Sequence, residues 1–204
     1  MNRLANSPGA ALDAAAGIAA ERYGNVAVLF HWVVALLIVA AFPLGLYMVG
    51  LPFSPAKLKY YSWHKWLGVT VFALAAARLL WRATHKPPVP LPGQPRWQLA
   101  AAHGTHVLLY LLMLAIPLSG WLYSSAAGVP TVYLGLWQLP DLLPKDEGLK
   151  VALKLVHQWL GYVLATLVLL HVVAALKHSI VDRDGTLGRM SLRARPRTLS
   201  KEHR

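Results

Sequence analysis

The chain has 204 residues, of which 56% are hydrophobic and only 14% are charged, and its formal net charge is +12. This composition excludes an ordinary soluble domain and is typical of an integral membrane protein. The chain contains no cysteine, which excludes disulfides, iron–sulfur clusters and covalently attached c-type haem.

Four apolar segments are each long enough to cross a bilayer, which takes roughly 20 helical residues. They lie at about 26–49, 63–81, 106–127 and 155–176. The first and last contain no acidic or basic residue, and the second has Lys65 and Arg78 near its ends, as expected of side chains that reach the interface. The third contains Pro117 and Gly120, which packed membrane helices tolerate. The sequence therefore predicts an all-α fold, an integral membrane four-helix bundle.

The segments outside the helices divide the chain into three parts. Residues 1–22 are predicted to form a flexible N-terminal extension, residues 23–182 the transmembrane domain, and residues 183–204 a basic tail. A proline-rich run at 86–95 predicts an extended loop between the second and third helices.

The distribution of Lys and Arg predicts that both termini are cytoplasmic. Fourteen of these residues fall in the N-terminal segment, the loop between the second and third helices, and the tail, whereas six fall in the two loops on the other side. Cytoplasmic loops carry the excess of positive charge in membrane proteins. Most of the +12 charge is thus explained by the orientation of the helices in the membrane. No nucleic-acid partner is expected, because the basic tail lacks interleaved aromatic residues.

Two histidines, His157 and His171, lie fourteen residues apart in the fourth segment. At a rise of ~1.5 Å per residue they are about 21 Å apart along the helix axis and point from nearly the same face. A metal-ligating side chain near each edge of one membrane helix suits a pair of stacked haems, which favours electron transfer across the membrane.

A short repeat supports the same arrangement. The pattern H-x-W-L-G begins at His64 and again at His157, and each copy opens a membrane helix on the outer side. Two such starts at one depth are what a shared pair of ligands needs. Gly68 and Gly161, the last residues of the two copies, would let helix backbones or a flat macrocycle approach closely.

The depths of the histidines predict two pairs. His64 and His157 lie near the outer face, whereas His31 and His171 lie near the cytoplasmic face. Bis-histidine ligation needs two imidazoles on opposite sides of one ring, and the facing helices of a bundle supply them. Without cysteine, each group must be haem b, and the sequence predicts two of them.

Other polar residues at cytoplasmic depth leave alternatives open. Either His103 or His106 could replace His31 as the inner ligand, although a place beside the inner haem propionates or a quinone is favoured. Arg78 could pair with a propionate or simply anchor its helix at the interface. His178, seven residues after His171 on the same helix face, is a protonatable group of the kind that quinone reduction requires.

Two other interpretations of the histidines compete with haem ligation. Any one of them could be an interhelical hydrogen-bond donor, although matched depths at four positions disfavour this for the set. A histidine-lined metal transporter is disfavoured because the two layers have no acidic residue between them.

Taken together, these motifs closely resemble the prokaryotic cytochrome b561 family over roughly residues 21–190. The residues that carry the resemblance are Arg22-Tyr23, His31-Trp32, His64, Gly68, His103, His106, Leu109-Tyr110-Leu111-Leu112, Pro117, His157, Leu160-Gly161-Tyr162, His171, His178, Asp184, Thr186, Leu187, Arg189 and Met190. The resemblance implies a di-haem cytochrome of the bacterial cytoplasmic (inner) membrane. It also implies that His31, His64, His157 and His171 are the axial ligands and that ubiquinone binds near His178.

The family resemblance and the outer lysines together suggest an electron donor. Members of the family exchange electrons between periplasmic donors and the quinone pool, including by oxidising superoxide. Lys65, Lys150 and Lys154 lie near the outer histidines and would steer superoxide or an acidic redox protein, or else merely contact lipid headgroups. The expected activity is that of a superoxide:ubiquinone oxidoreductase. The alternative is a cytochrome b subunit that serves a separate periplasmic partner or dehydrogenase.

Overall fold

The computed structural model describes residues 22–192 and is dominated by four long helices. Their bounds are Asn25–Gly50 (α1), Pro55–Thr84 (α2), Arg96–Ala126 (α3) and Glu147–Lys177 (α4). By length and composition each can cross a membrane. The predicted extension lies outside the described residues up to position 21, and so does the tail from position 193.

Three of the helices begin well before the apolar segments from which they were predicted. α2 begins eight residues before position 63, where Ser54 accepts a hydrogen bond from the main-chain N–H of Lys57 and Pro55 follows. α4 begins behind Asp146, whose side chain caps the N–H of Leu149. Hydropathy marks only the part of a helix that lies in hydrocarbon, whereas these capping residues mark where the helix begins.

The helices pack in chain order, α1 against α2, α2 against α3 and α3 against α4. The rings of His31 and His171 bring α1 and α4 together and close the bundle. Val34, Ala75 and Met113, from three helices, form a small buried core at its centre. Most other apolar side chains remain exposed, as expected for helices whose outer faces contact lipid rather than water.

Two prolines lie inside helices without ending them. Pro43 lies in α1 and Pro117 in α3. Neighbouring helices and local hydroxyls compensate for the missing N–H in packed membrane helices. The expectation that the third helix continues through Pro117 is confirmed.

A β-hairpin connects α3 to α4 at the end of the bundle opposite the described chain ends. Its antiparallel strands are Thr131–Tyr133 (β1) and Trp137–Leu139 (β2), with Tyr133 opposite Trp137. Leu134, Gly135 and Leu136 form the turn, and the first two have positive φ angles, 52° and 73°. The sequence analysis did not anticipate this hairpin.

The first part of the basic tail is folded against the bundle. A π-helical turn, His178–Asp182, ends α4, and a 3-10 helix, Leu187–Met190, follows. The carbonyl of Met190 accepts a hydrogen bond from Trp32 Nε1 at 2.9 Å, and the buried Arg189 donates to the carbonyl of Val89 in the proline-rich loop at 2.8 Å. This segment therefore closes the end of the bundle on which His31 lies.

Candidate functional site: two histidine pairs

The histidine pair that was predicted to lie near the outer face, called the outer pair below, consists of His64 from α2 and His157 from α4. Their ring centroids are 6.1 Å apart and the ring planes are nearly perpendicular, at 85°. Two metal–nitrogen bonds of about 2 Å, plus roughly 1 Å from each nitrogen to its ring centre, would allow the centroids of two imidazoles bound to one metal to lie about 6 Å apart. The observed separation therefore suits one iron atom between the two rings.

The hydrogen bonds of the outer pair fix which ring nitrogen is available. Nδ1 of His64 lies 3.1 Å from the carbonyl oxygen of Ala41, and Nδ1 of His157 lies 3.0 Å from that of Ile116. A carbonyl can only accept, so each Nδ1 carries the proton and donates it. Each neutral ring then keeps its lone pair on Nε2, the arrangement that metal-binding histidines usually have.

Two glycines make room for these imidazoles. A Cβ atom on Gly45 would lie 2.9 Å from Cε1 of His64, and one on Gly120 would lie 3.0 Å from Cε1 of His157. In both cases the glycine follows the hydrogen-bonding carbonyl by four residues, which is about one helical turn. α1 and α3 therefore share one local arrangement. Each offers a main-chain carbonyl and, one turn later, a glycine without a side chain to the histidine of the next helix.

A cavity of about 450 Å³ adjoins the outer pair and is lined mainly by apolar side chains from all four helices. Gly68 and Gly161 line it, and a Cβ atom at either position would meet nothing within 4 Å. The two glycines of the sequence repeat therefore border open space beside the ligand pair. Tyr61, Tyr123 and Lys154 are among the polar residues of its lining.

The inner pair consists of His31 from α1 and His171 from α4, with ring centroids 6.2 Å apart. This separation matches that of the outer pair. The Arg78 guanidinium lies 3.4 Å from Nδ1 of His31 and stacks over the ring of Tyr110 at 5.3 Å. A guanidinium only donates, so Nδ1 of His31 accepts here and, unlike in the outer histidines, the ring proton lies on Nε2. That proton would have to move to Nδ1, with Arg78 turned towards another acceptor, before Nε2 of His31 could bind iron.

His106 from α3 also contacts the inner pair. Its ring centroid is 5.4 Å from that of His171, in an edge-on arrangement. His103 lies about one turn earlier on α3 and is exposed. Of the four histidines considered as ligands of the inner haem, the structure brings His31, His106 and His171 into one cluster.

The residues of both levels fit b-type haem. At the outer level the ring spacing, the protonated Nδ1 atoms and the apolar cavity beside two glycines agree with bis-histidine ligation. At the inner level the ring spacing agrees, and Arg78 supplies a cation at the depth where propionates are expected.

The three outer lysines have different surroundings. Lys154 lines the outer cavity. Lys150 forms an ion pair with Glu147 at 2.8 Å. Lys65 donates to the carbonyls of Val129 and Pro130, both at 3.2 Å, and so holds the root of the hairpin. Only Lys154 is therefore placed with His157 around the cavity.

His178 belongs to a polar cluster just beyond α4. Its Nδ1 lies 2.7 Å from Asp184 Oδ2 and 3.2 Å from Asp182 Oδ2. Asp182 is in turn paired with Lys177 at 2.6 Å, and Asp184 Oδ1 accepts from the N–H of Thr186 at 2.9 Å. Partial burial would raise the pKa of Asp184, but its hydrogen bonds with Thr186 and His178 outweigh burial and hold that pKa below its usual value.

Sequence reasoning missed three parts of this site. Gly45 was not singled out, and Gly120 was noted only as tolerable in a membrane helix. Ser119, whose Oγ lies 3.1 Å from Nδ1 of His157, was also overlooked. The H-x-W-L-G repeat could predict only the histidines of α2 and α4. It does not include Gly45 of α1 or Gly120 of α3, the glycines that lie against these two rings.

The fold and the paired histidines define a four-helix membrane protein built to hold prosthetic groups between its helices. The family model for prokaryotic cytochrome b561 matches residues 22–191. The chain is 37% identical to cytochrome b561 homolog 2 of Escherichia coli (strain K12) over 172 residues, which cover 83% of this chain and 91% of that protein. It is 30% identical to cytochrome b561 homolog 1 of the same organism, over 83% of this chain and 97% of that protein.

A third relative bears a more specific name. The chain is 28% identical to the probable superoxide oxidase CybB of Yersinia pestis, over 83% of this chain and 96% of that protein. The chain therefore belongs to the prokaryotic cytochrome b561 family, and the predicted family and membrane fold are confirmed. Its members bind b-type haem and transfer electrons across the membrane, and the family is linked to quinone. Four membrane helices and this family fit a multi-pass protein of the bacterial inner membrane.

Proposed function

We propose that this protein transfers electrons from superoxide on the periplasmic side to ubiquinone on the cytoplasmic side, through two b-type haems. The observation that carries the proposal is the presence of two imidazole pairs at two depths, with centroids 6.1 and 6.2 Å apart. Three helices supply the four rings, and the two on α4 lie about 21 Å apart along its axis. With both termini in the cytoplasm, the His64 pair is the outer one.

The protein's task at each level is to hold and orient the prosthetic group. His64 and His157 would bind the outer haem, and His31 and His171 the inner one, in each case by two neutral imidazoles. Bound haem would supply a one-electron carrier at each depth. The main-chain carbonyls of Ala41 and Ile116 keep the outer Nε2 atoms available, and the glycines opposite the rings fix where the rings lie.

At the outer face, Lys154 supports an anionic donor. Its side chain is exposed and lines the cavity beside His157, so its charge acts where an electron would enter. Attraction by such a cation raises the local concentration of small anions and falls with ionic strength. Superoxide also fits because it gives up one electron and leaves as O2, which needs no acid–base group at this face. The name of the Yersinia pestis relative supports the same donor.

At the cytoplasmic face, ubiquinone must take up two electrons and two protons to become ubiquinol. We assign the proton transfer to His178. The assignment is supported by Asp184, which accepts from Nδ1 of this ring at 2.7 Å and leaves Nε2 as the nitrogen facing away from the carboxylate. Two superoxide ions give the two electrons, and the protons come from the cytoplasm.

The direct test uses the full chain in lipid nanodiscs with ubiquinone. We expect a b-type α-band in the reduced-minus-oxidised spectrum, fast reduction on mixing with superoxide, and one ubiquinol for every two superoxide ions. Superoxide dismutase in the mixture should abolish the fast phase. A b-type spectrum without fast reduction would instead indicate a subunit that needs a separate redox partner, and absence of the α-band would contradict haem binding itself.

A further inference from the structure

The hairpin between α3 and α4 has an uncharged, apolar tip. Residues 129–140 contain no acidic or basic side chain. Three large apolar residues of the tip are exposed, Leu134 at 53%, Leu136 at 89% and Trp137 at 73%. In water such a tip would leave a contiguous apolar patch uncovered, which is unfavourable for a soluble surface.

The contacts between β1 and α2 show which way the tip points. Lys65 binds the carbonyls of Val129 and Pro130, and Trp66 Nε1 donates to the carbonyl of Val132 at 2.7 Å. The hydroxyls of Tyr133 and Thr70 lie 2.9 Å apart. As the strand proceeds, its partners therefore move along α2 towards the membrane interior.

The depth of these contacts lies within the apolar part of α2. Its apolar segment begins at about residue 63, and Thr70 lies seven residues further, which is about 10 Å along a helix. Tyr133 and the adjoining turn are therefore held at a level where the neighbouring helix surface faces lipid. The side chains of Lys65 and Trp66 satisfy carbonyls just before β1 and within it, as backbone groups near hydrocarbon require.

The turn itself is unusual in carrying leucine. Leu134 has a φ of 52°, in the left-handed region that Gly, Asn or Asp normally occupies in hairpin turns. A bulky side chain at this position is unfavourable for the backbone. Here the side chain lines an apolar groove of about 380 Å³ together with Leu44, Trp63, Trp66, Leu67 and Thr70.

We infer that the hairpin tip, Leu134 to Trp137, is inserted in the outer leaflet, and that an acyl chain of a phospholipid occupies the groove between the tip and helices α1 and α2. Trp63 and Leu134, which line the groove, are also exposed at the surface of the bundle. The charges near the hairpin stand at its root, where Lys65 lies and where Lys59 stacks over Trp63 at 4.9 Å. Tryptophan near the interface and lysine at headgroup level are typical of membrane anchoring.

The absence of native cysteine allows a direct test by single-cysteine labelling. The full chain with Leu136→Cys carries an environment-sensitive nitrobenzoxadiazole dye in phosphatidylcholine vesicles. The matched control is Pro144→Cys, an exposed loop position two residues before the Asp146 cap of α4. Because Leu136 is 89% exposed, its replacement disturbs no packing, and Trp137→Cys provides a second position at the tip.

We expect blue-shifted emission at position 136, quenching by lipids with a spin label on the acyl chain, and little quenching by aqueous iodide. The label at position 144 should show the opposite pattern. Iodide quenching at positions 136 and 137 as strong as at 144 would overturn the inference. Protection from both quenchers would also overturn it, because a second copy or another protein would then cover the tip.

Discussion

Gly120 and His157 form a matched pair: the imidazole lies where a side chain at position 120 would stand. A Cβ atom there would lie 3.0 Å from Cε1 and 3.1 Å from Nδ1 of the ring. The carbonyl of Ile116, one turn before the glycine, accepts from the same ring at 3.0 Å. A methyl group would therefore force the ring to shift by a few tenths of an ångström and would disturb this hydrogen bond.

Replacing Gly120 should reduce binding of the outer haem. We expect Gly120→Ala to lower the haem content from two towards one per chain, because the ring can no longer lie 6.1 Å from that of His64. The measurement is the haem-to-protein ratio by pyridine haemochrome. Gly104→Ala on the same helix is the control, since a Cβ there would meet nothing within 4 Å and both haems should remain. Equal haem content in the two variants would show that the gap at Gly120 is unimportant.

The inner level offers a choice between two candidate ligands. We expect His31→Ala to lose one haem, because its ring is 6.2 Å from that of His171, and His106→Ala to keep both. His106→Ala should still shift the inner haem's reduction potential, since this imidazole lies beside His171 without ligating. Redox titration followed by absorbance measures both effects. Loss of a haem in His106→Ala with retention in His31→Ala would reverse the assignment.

Lys154 is the lysine expected to govern reaction with an anionic donor. Lys154→Glu should slow haem reduction by superoxide several-fold at low ionic strength, and the difference should shrink as salt screens the charge. Lys65→Gln is the matched comparison, because Lys65 binds hairpin carbonyls and should affect the hairpin more than the rate. Stopped-flow mixing at several salt concentrations measures this. A rate in Lys154→Glu that equals the unmodified protein's at low salt would remove the steering argument.

Asp184 is expected to act on ubiquinone through His178. Asp184→Asn removes the carboxylate that accepts from His178 Nδ1 and orients the ring, so ubiquinol formation should fall on the order of tenfold, the range seen when a group supporting a functional histidine is lost. Haem reduction by superoxide should be unchanged. Asp182→Asn is the control, since Asp182 is 3.2 Å from His178 and is also paired with Lys177. Equal slowing in both variants would indicate a general loss of negative charge instead.

The same carboxylate should contribute to stability in a defined pH range. Its folded-state pKa is lowered, so the contribution is fully present above the ordinary Asp value of about 3.9 and is lost as pH falls through the lower folded value. The thermal midpoint of Asp184→Asn should therefore lie below that of the unmodified protein at pH 7, and the difference should vanish in acid. A difference that persists in acid would contradict this origin.

Much of this architecture follows from the sequence because the bilayer core limits both the length and the composition of a membrane helix. Roughly 20 apolar residues mark a span, and histidines fourteen apart share a helix face. His64 and His157 could be placed at one depth from the helix spans, their directions and the H-x-W-L-G repeat, and the structure brings the two rings together. The family assignment from those motifs is also confirmed.

The remaining features depend on which helix faces which, and that is a tertiary property. Gly45 and Gly120 matter only because rings from α2 and α4 lie against them. The hairpin escaped notice because its turn has leucine where hairpin signals have Asn or Asp. Lys65 also binds hairpin carbonyls, which its place next to His64 in the sequence did not indicate.

The most direct test of the two-pair arrangement is the haem content and spectrum of His157→Ala beside those of His171→Ala. Each variant should retain one haem per chain, and the two should differ in the midpoint potential and low-spin electron paramagnetic resonance signal of the haem that remains. The outer haem should survive in His171→Ala and the inner one in His157→Ala. Full haem content in either variant, or the same surviving signal in both, would contradict the assignment of one haem to each pair.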